Sequence, residues 1–117
     1  MNNGPVYSKS FAFAVRVVKL AQWLQDEKRE FVLSKQILRS GTAIGALVRE
    51  AEHGESKADF VHKMNIALKE ANETLYWLEL LHESGTLTPE MYKSIHPDAE
   101  ELVRLLVAIV KTSRAKL

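Results

Sequence analysis

Apolar residues recur every three or four positions along most of the chain, with polar residues between them. This spacing places apolar side chains on one side of an α-helix. Pro5 precedes the first such stretch, and residues that interrupt helices mark later breaks at 53–56, 84–89 and 96–97. Short connections between consecutive helices make neighbours antiparallel, so the pattern predicts an all-α, up-down-up-down four-helix bundle.

The predicted helix boundaries follow from capping residues and helix breakers. Ser8 and Ser56 are predicted N-caps, because their hydroxyls can accept from free N–H groups of a first turn. Pro97 is expected in the first turn of the main part of helix 4, where a missing N–H does no harm. The predicted helices cover about 8–28, 34–54, 57–83 and, after a short preface at 89–94, 97 onward. Residues 1–117 then form one domain, with a flexible N-terminus at about 1–6.

Helix 1 carries two adjacent apolar stripes, one more than a helix covered on one side requires. The first stripe is Phe11, Val15, Val18 and Ala21, and the second is Phe13, Val17, Leu20 and Leu24. Helix 4 has a similarly wide apolar arc. One hypothesis is an obligate homo-oligomer, with Val17, Leu20 and Leu105 as interface candidates. The alternative is that helix 1 lies in the middle of its own bundle.

Two glycines lie one turn apart among the core positions of helix 2. Gly41 and Gly45 each cost about 1 kcal/mol relative to alanine in a helix interior. A neighbouring helix that approaches closely would compensate for this loss. The sequence therefore predicts a close helix crossing at these two positions.

The segment 33–51 carries a recognisable motif. It reads Leu-Ser-Lys-Gln-Ile-Leu-Arg-Ser-Gly-Thr-Ala-Ile-Gly-Ala-Leu-Val-Arg-Glu-Ala. This segment resembles the second helix of a bacterial four-helix-bundle family named for proteins encoded in intervening sequences of 23S ribosomal RNA genes, and residues 56–78 resemble the third helix of that family. The positions that match the motif are Gln36, Arg39, Ser40, Ile44 and Glu50. Gly41 and Gly45 lie between these positions and are predicted to have structural roles in the same segment. Ala43 and Leu47 stand where the family usually has serine and asparagine.

The resemblance implies a pentamer of four-helix protomers. The same architecture occurs in the accessory protein of diversity-generating retroelements, which acts with a reverse transcriptase and binds nucleic acid. No enzymatic activity is associated with the fold. The resemblance thus implies a non-enzymatic, homo-oligomeric module whose expected partner is RNA or DNA.

Composition narrows the class of protein further. Apolar residues make up 46% and charged residues 26% of the chain, as in an ordinary globular domain. With no cysteine, disulfides, thiolate nucleophiles and cysteine-ligated zinc are excluded. The most apolar stretch, 11–24, is interrupted by Arg16 and Lys19 and is too short to cross a bilayer. We therefore expect a cytoplasmic protein with no membrane association.

The net charge is only +1, so a nucleic-acid surface would have to come from local clustering. Lys35, Arg39 and Arg49 recur at helical spacing on helix 2, and Arg16 and Lys19 lie on the polar strip of helix 1. In a monomer these are scattered solvated charges. In a ring, the helix-2 stripe is repeated by every copy and could bind phosphates. The rival interpretation is a protein-binding scaffold with an incidental basic stripe.

Two Glu-x-x-His elements invite a metal interpretation, since di-iron bundles use this spacing on two helices. They are Glu50 to His53 and Glu79 to His82. His53 lies at the turn before helix 3, and His82 lies about 25 residues along that helix. At about 1.5 Å rise per residue the two elements are about 37 Å apart in one protomer and cannot share a metal. The sequence also lacks a nucleophile turn and a phosphate-binding glycine loop. We therefore predict no catalytic site, metal or cofactor, and no small-molecule substrate.

Overall fold

Four α-helices follow one another in the structure, a computed structural model that describes residues 4–117. They are α1 (Pro5–Glu27), α2 (Leu33–Glu52), α3 (Lys57–Glu83) and α4 (Pro89–Arg114). The helices pack side by side into a bundle of 46 × 21 × 19 Å, which confirms the predicted all-α fold. None of them, within the described range, has the length and apolar character needed to cross a membrane.

The N-terminal ends of α1 and α3 differ in how they are capped. The hydroxyl of Ser56 accepts a hydrogen bond from the Asp59 N–H at 3.0 Å, as predicted for the cap of α3. Helix α1 begins at Pro5 instead of near Ser8, because Gly4 supplies the bend with a φ of 93° and proline suits a first turn. Ser8 is therefore an interior residue rather than a cap, and Val6 is already in the core. Residues 1–3 of the predicted flexible N-terminus lie outside the described residues.

Helix α4 is continuous from Thr88, whose hydroxyl caps it at the Met91 N–H, through to Arg114. The predicted restart at Pro97 is therefore wrong, since this proline lies inside the helix. Proline removes one backbone hydrogen bond at that point. Ile95 and Ala99, on either side of it, are both buried in the core. Packing against the other helices holds the backbone helical across the missing bond.

The close helix crossing predicted at the two glycines is confirmed. A Cβ added to Gly41 would lie 2.8 Å from both methyl carbons of Val17 on α1. At Gly45 the same atom would lie 3.3 Å from the backbone oxygen of Ser10. At Gly41 only glycine lets α1 and α2 approach this closely, and at Gly45 a larger residue would force a small shift. The packing gained offsets the poor helix propensity of glycine.

Helix α1 packs more loosely against α4 than against α2. Two ion pairs span this looser seam, Lys9 with Glu101 at 2.6 Å and Arg16 with Asp98 at 2.7 Å. Beside them lies a groove of about 450 Å³. The groove is lined by Arg16, Lys19, Leu20, Trp23, Met91, Ser94 and Ile95.

Candidate functional site

An exposed apolar stripe runs along the outer side of α1. It consists of Phe11, Val15 and Val18, which are 54%, 40% and 39% exposed, and we call it the α1 outer stripe. The predicted interface residues Val17 and Leu20 belong to the other stripe and are buried in the core at 0% and 6% exposure. Val17 packs against Gly41 of α2, and Leu20 lies at the base of the α1–α4 groove, so neither presents a surface to another subunit.

The apolar arc of α4 is also divided between core and surface. The predicted interface residue Leu105 is half-buried and packs against the core, whereas Val107 is the exposed apolar residue at 46%. The alternative that α1 lies in the middle of its own bundle is wrong, because α1 contacts α2 and α4 and leaves its outer stripe uncovered.

Arg39, one of the predicted nucleic-acid-binding residues, lies in an ion-pair network between α2 and α3. One guanidinium nitrogen donates to Glu70 at 3.1 Å, and the other donates to Glu73. The indole N–H of Trp77 donates to the same Glu73 carboxylate at 3.0 Å. Two carboxylates thus neutralise the charge of Arg39, and the side chain joins two helices.

Arg49 leans to the opposite side of α2. Its guanidinium carbon lies 5.1 Å from the ring centroids of both Tyr7 and Phe11 on α1. A guanidinium at this distance from an aromatic face is attracted by the ring quadrupole. Arg49 also lies in the last turn of α2, where a cation interacts well with the helix dipole. The contact connects the polar surface of α2 to the α1 outer stripe.

The remaining predicted cations lie apart from one another. Arg16 donates to the Asp98 carboxylate and to both the carbonyl and the hydroxyl of Ser94 across the α1–α4 seam. Lys19 lines the groove at that seam, and Lys35 is exposed in the first turn of α2. The five predicted cations therefore do not form one continuous surface within a protomer.

Several family-motif residues have structural roles. The hydroxyls of Thr74 and Ser40 lie 2.9 Å apart in a fully buried hydrogen bond between α3 and α2. Ile44 lies in the core, and Glu50 pairs with Lys63 at 3.1 Å. Gln36 is exposed. Leu47, at the position where the family usually has asparagine, is half-buried and packs against the core.

The two Glu-x-x-His elements have separate surroundings. His53 is the exposed C-terminal cap residue of α2, and His82 lies near the end of α3. Within residues 4–117, no group of three or more His, Asp or Glu side chains is arranged to hold a metal ion.

A ladder of rings joins the end of α3 to α4. His82 stacks on Tyr92 with centroids 4.0 Å apart, and Tyr92 lies 4.7 Å from His96. His96 lies between two carboxylates, 3.6 Å from Glu79 and 3.4 Å from Glu100. Burial, followed by repulsion from Glu79 and Glu100, raises the pKa of Tyr92 above its usual value. Sequence spacing alone could not reveal this cluster, because its members come from two helices.

Comparison with known proteins gives a consistent picture. The family model for 23S rRNA-intervening sequence proteins matches residues 2–108. The crystal structure of a protein of unknown function from Bacteroides thetaiotaomicron VPI-5482, of the S23 ribosomal protein family, is 58% identical in sequence. It superposes with a TM-score of 0.90 over 92% of this chain and 99% of that one. A comparison with curated proteins finds no match.

Proposed function

This chain belongs to the 23S rRNA-intervening sequence protein family, and we propose that it is a non-catalytic, self-associating helical module that binds nucleic acid as an oligomer. The α1 outer stripe carries the proposal. Its three large apolar side chains lie on one side of a long helix and are each at least 39% exposed. Exposed apolar residues gathered in one place mark interaction sites more often than residues scattered singly.

The neighbourhood of the stripe resembles the middle of a subunit interface. Arg49 lies against both Phe11 and Tyr7. Arginine and aromatic residues are enriched in protein interfaces, where a desolvated guanidinium and a rigid ring bury large areas at little entropic loss. A second copy that covers the α1 outer stripe would bury these groups together.

Self-association gives the nucleic-acid part of the proposal its physical basis. One protomer presents few unneutralised cations on the α1 and α2 side that such an interface would leave exposed, chiefly Lys19 and Lys35. A closed ring, with the pentamer of the resembled family as the expected size, would repeat them symmetrically. Linked weak contacts raise the overall affinity without any new contact chemistry. The association of the family with 23S rRNA intervening sequences makes RNA or DNA the partner that we favour.

Light scattering after size exclusion tests the self-association. We expect the wild-type chain to be an oligomer at micromolar concentration, and the variant V15E/V18E to be a folded monomer, because two carboxylates cannot be buried unpaired. The matched control is V32E/L80E, which changes two exposed apolar residues outside the α1 outer stripe. A wild-type monomer, or a V15E/V18E variant that stays assembled, would contradict the proposed interface.

A protein-binding scaffold is the second candidate function. Carboxylates on neighbouring helices hold Arg16 and Arg39 in ion pairs. These neutralised cations are less available to phosphates, which favours the scaffold. Mobility-shift titrations of RNA and DNA across salt concentrations separate the two functions. An intact oligomer with no affinity for either nucleic acid at low salt would leave the scaffold as the function to pursue.

A further inference from the structure

The cations of this protein divide into two sets according to whether a carboxylate neutralises them. Members of the first set form ion pairs between helices: Lys9, Arg16, Arg39 and Lys63. Members of the second set are exposed and, among the described residues, take part in no ion pair. On the α3 and α4 side this second set includes Lys57, Lys69, Arg104, Lys111, Arg114 and Lys116.

Three of these unpaired cations share one side of α4. Arg104, Lys111 and Arg114 are spaced seven and three residues apart, which places them along one side of a helix. Lys111 and Arg114 line a surface cavity of about 330 Å³ with Asn65 of α3. Lys69 follows Asn65 by four residues on α3, so it adds a cation beside the same cavity. We call Lys69, Arg104, Lys111 and Arg114 the basic α3/α4 face.

The basic α3/α4 face continues to the end of the bundle. There, Lys57 and Lys116 line a second cavity, of about 180 Å³, together with Ser113. The last sixteen residues, 102–117, contain four Lys or Arg residues and no Asp or Glu. This end of the α3 and α4 side therefore carries a strong local excess of positive charge.

Most acidic residues of α3 and α4 lie toward the other end of the bundle, and Asp59, in the first turn of α3, is an exception. Glu79 and Glu100 lie beside His96, where α3 and α4 carry the ring ladder. Glu70 and Glu73 point instead toward α2, where they hold Arg39. Charge is thus segregated along the bundle, although the whole chain has a net charge of only +1. Such segregation produces a local positive potential that attracts polyanions.

We propose that the basic α3/α4 face binds the phosphodiester backbone of a nucleic acid. The inference rests on the nucleic-acid partner of the proposed function and locates the main contact on α3 and α4 rather than on α2. At about 1.5 Å per residue, the distance from Arg104 to Arg114 is about 15 Å, long enough to follow several consecutive phosphates. The forked guanidinium groups of the two arginines match phosphate oxygens in pairs.

The chemistry of this face favours a nucleic acid over a membrane surface. Within α4, Val107 is the only large apolar side chain that is strongly exposed, at 46%, and the exposed Leu117 lies past the end of the helix. A helix that lies in a membrane interface needs a broad apolar side as well as cations. Val107 between Arg104 and Lys111 offers a small contact for sugar or base, and the Asn65 amide can both donate and accept hydrogen bonds.

Salt-dependent binding to a labelled RNA and to the DNA of the same sequence, single-stranded and duplex, tests the inference. The face variant is K111Q/R114Q. Each lost phosphate contact lowers the logarithmic salt slope by about 0.9 on duplex DNA and about 0.7 on single strands. We expect the slope on duplex DNA to be smaller by nearly 2 for each protomer that contacts the nucleic acid, and the affinity at low salt to be reduced by at least about tenfold.

Two further variants make the result specific. K28Q/K93Q removes the same charge from exposed lysines outside the face and is expected to bind like wild type. K19Q/K35Q removes the two unpaired lysines predicted from the sequence of helices 1 and 2. All three variants are first checked for wild-type oligomer mass and melting temperature, so that a loss of binding reports on contact.

The outcomes separate this inference from the proposed function. The basic α3/α4 face is supported if K111Q/R114Q alone loses affinity, or if it loses clearly more affinity than K19Q/K35Q does. If K19Q/K35Q weakens binding and K111Q/R114Q binds like wild type, this inference is overturned, whereas the proposed function stands. An equal loss in K28Q/K93Q also overturns it, since net charge alone would then explain binding. A wild-type oligomer that binds neither RNA nor DNA, even if it binds anionic phospholipid vesicles, overturns both this inference and the nucleic-acid part of the proposed function.

Discussion

Gly41 of α2 lies directly against Val17 of α1, so closely that a single added methyl group has no space. The added carbon would lie 2.8 Å from both methyl carbons of Val17 and 3.2 Å from its Cβ. Valine is stiff about its first side-chain torsion and cannot rotate away without strain. The crossing of α1 over α2 therefore depends on this pair of residues.

Gly41→Ala is expected to destabilise the protein even though alanine is the better helix former. The gain in helix propensity is about 1 kcal/mol, whereas overpacking a tight core costs typically about 1–3 kcal/mol. The two residues should be coupled, so that G41A in a V17A background loses less stability than G41A alone. Urea denaturation of wild type, G41A, V17A and the double variant measures the coupling. Gly45→Ala is the matched change and is expected to destabilise the protein less. Additive effects would show that the contact does not limit packing.

Ser40→Ala is expected to lower the free energy of unfolding by about 0.5–1.5 kcal/mol, the usual net value of one hydrogen bond. The loss should be modest because the Thr74 hydroxyl also contacts the Glu70 carbonyl at 2.8 Å and keeps that partner. Thr74→Val in the same assay leaves the Ser40 hydroxyl buried without a partner and should lose more stability. Equal stability of S40A and wild type would mean that the hydrogen bond adds nothing net.

Replacing Arg39 tests whether this arginine belongs to the fold. Its side chain is 51% exposed, so Arg39→Gln should lose no more than about 1 kcal/mol. Arg39→Glu should lose more, because a third carboxylate then faces Glu70 and Glu73. Adding Glu73→Lys should recover part of that loss. Thermal melts compare these variants with Lys35→Glu, which replaces an exposed cation on the same helix. If R39E and K35E melt alike, the ion-pair network contributes nothing to stability.

Alkaline pH should destabilise the protein partly through Tyr92. Its raised pKa means that the folded state retains the phenol proton at a pH where the unfolded chain, with a pKa of about 10, has lost it. Stability from this residue is therefore complete below about pH 10 and falls as the pH rises further. Denaturant titrations between about pH 8 and pH 11 should show a steeper decline for wild type than for Tyr92→Phe. Tyr76→Phe, at an exposed position, is the matched control, and parallel curves for wild type and Y92F would contradict the prediction.

Local features of the sequence were sufficient for the elements themselves. Helical periodicity predicted four helices, Ser56 was recognised as a cap, and two interior glycines indicated a close crossing. These features depend on neighbours within one or two turns, which the sequence displays directly. Pro97 misled the prediction for the same reason, because the contacts that hold α4 helical on either side of it come from other helices.

Features that join separate helices required the tertiary structure. The sequence displayed both apolar stripes of α1 but could not tell which one faces the core, because that depends on how the helix is rotated about its axis within the bundle. The structure buries Val17 and exposes Val15. It likewise pairs Arg39 with carboxylates more than thirty residues away and places the unpaired Lys111 and Arg114 of α4 beside Asn65 of α3. The sequence by itself determined which segments are helical, and packing between helices decided which side chains remain free to bind a partner.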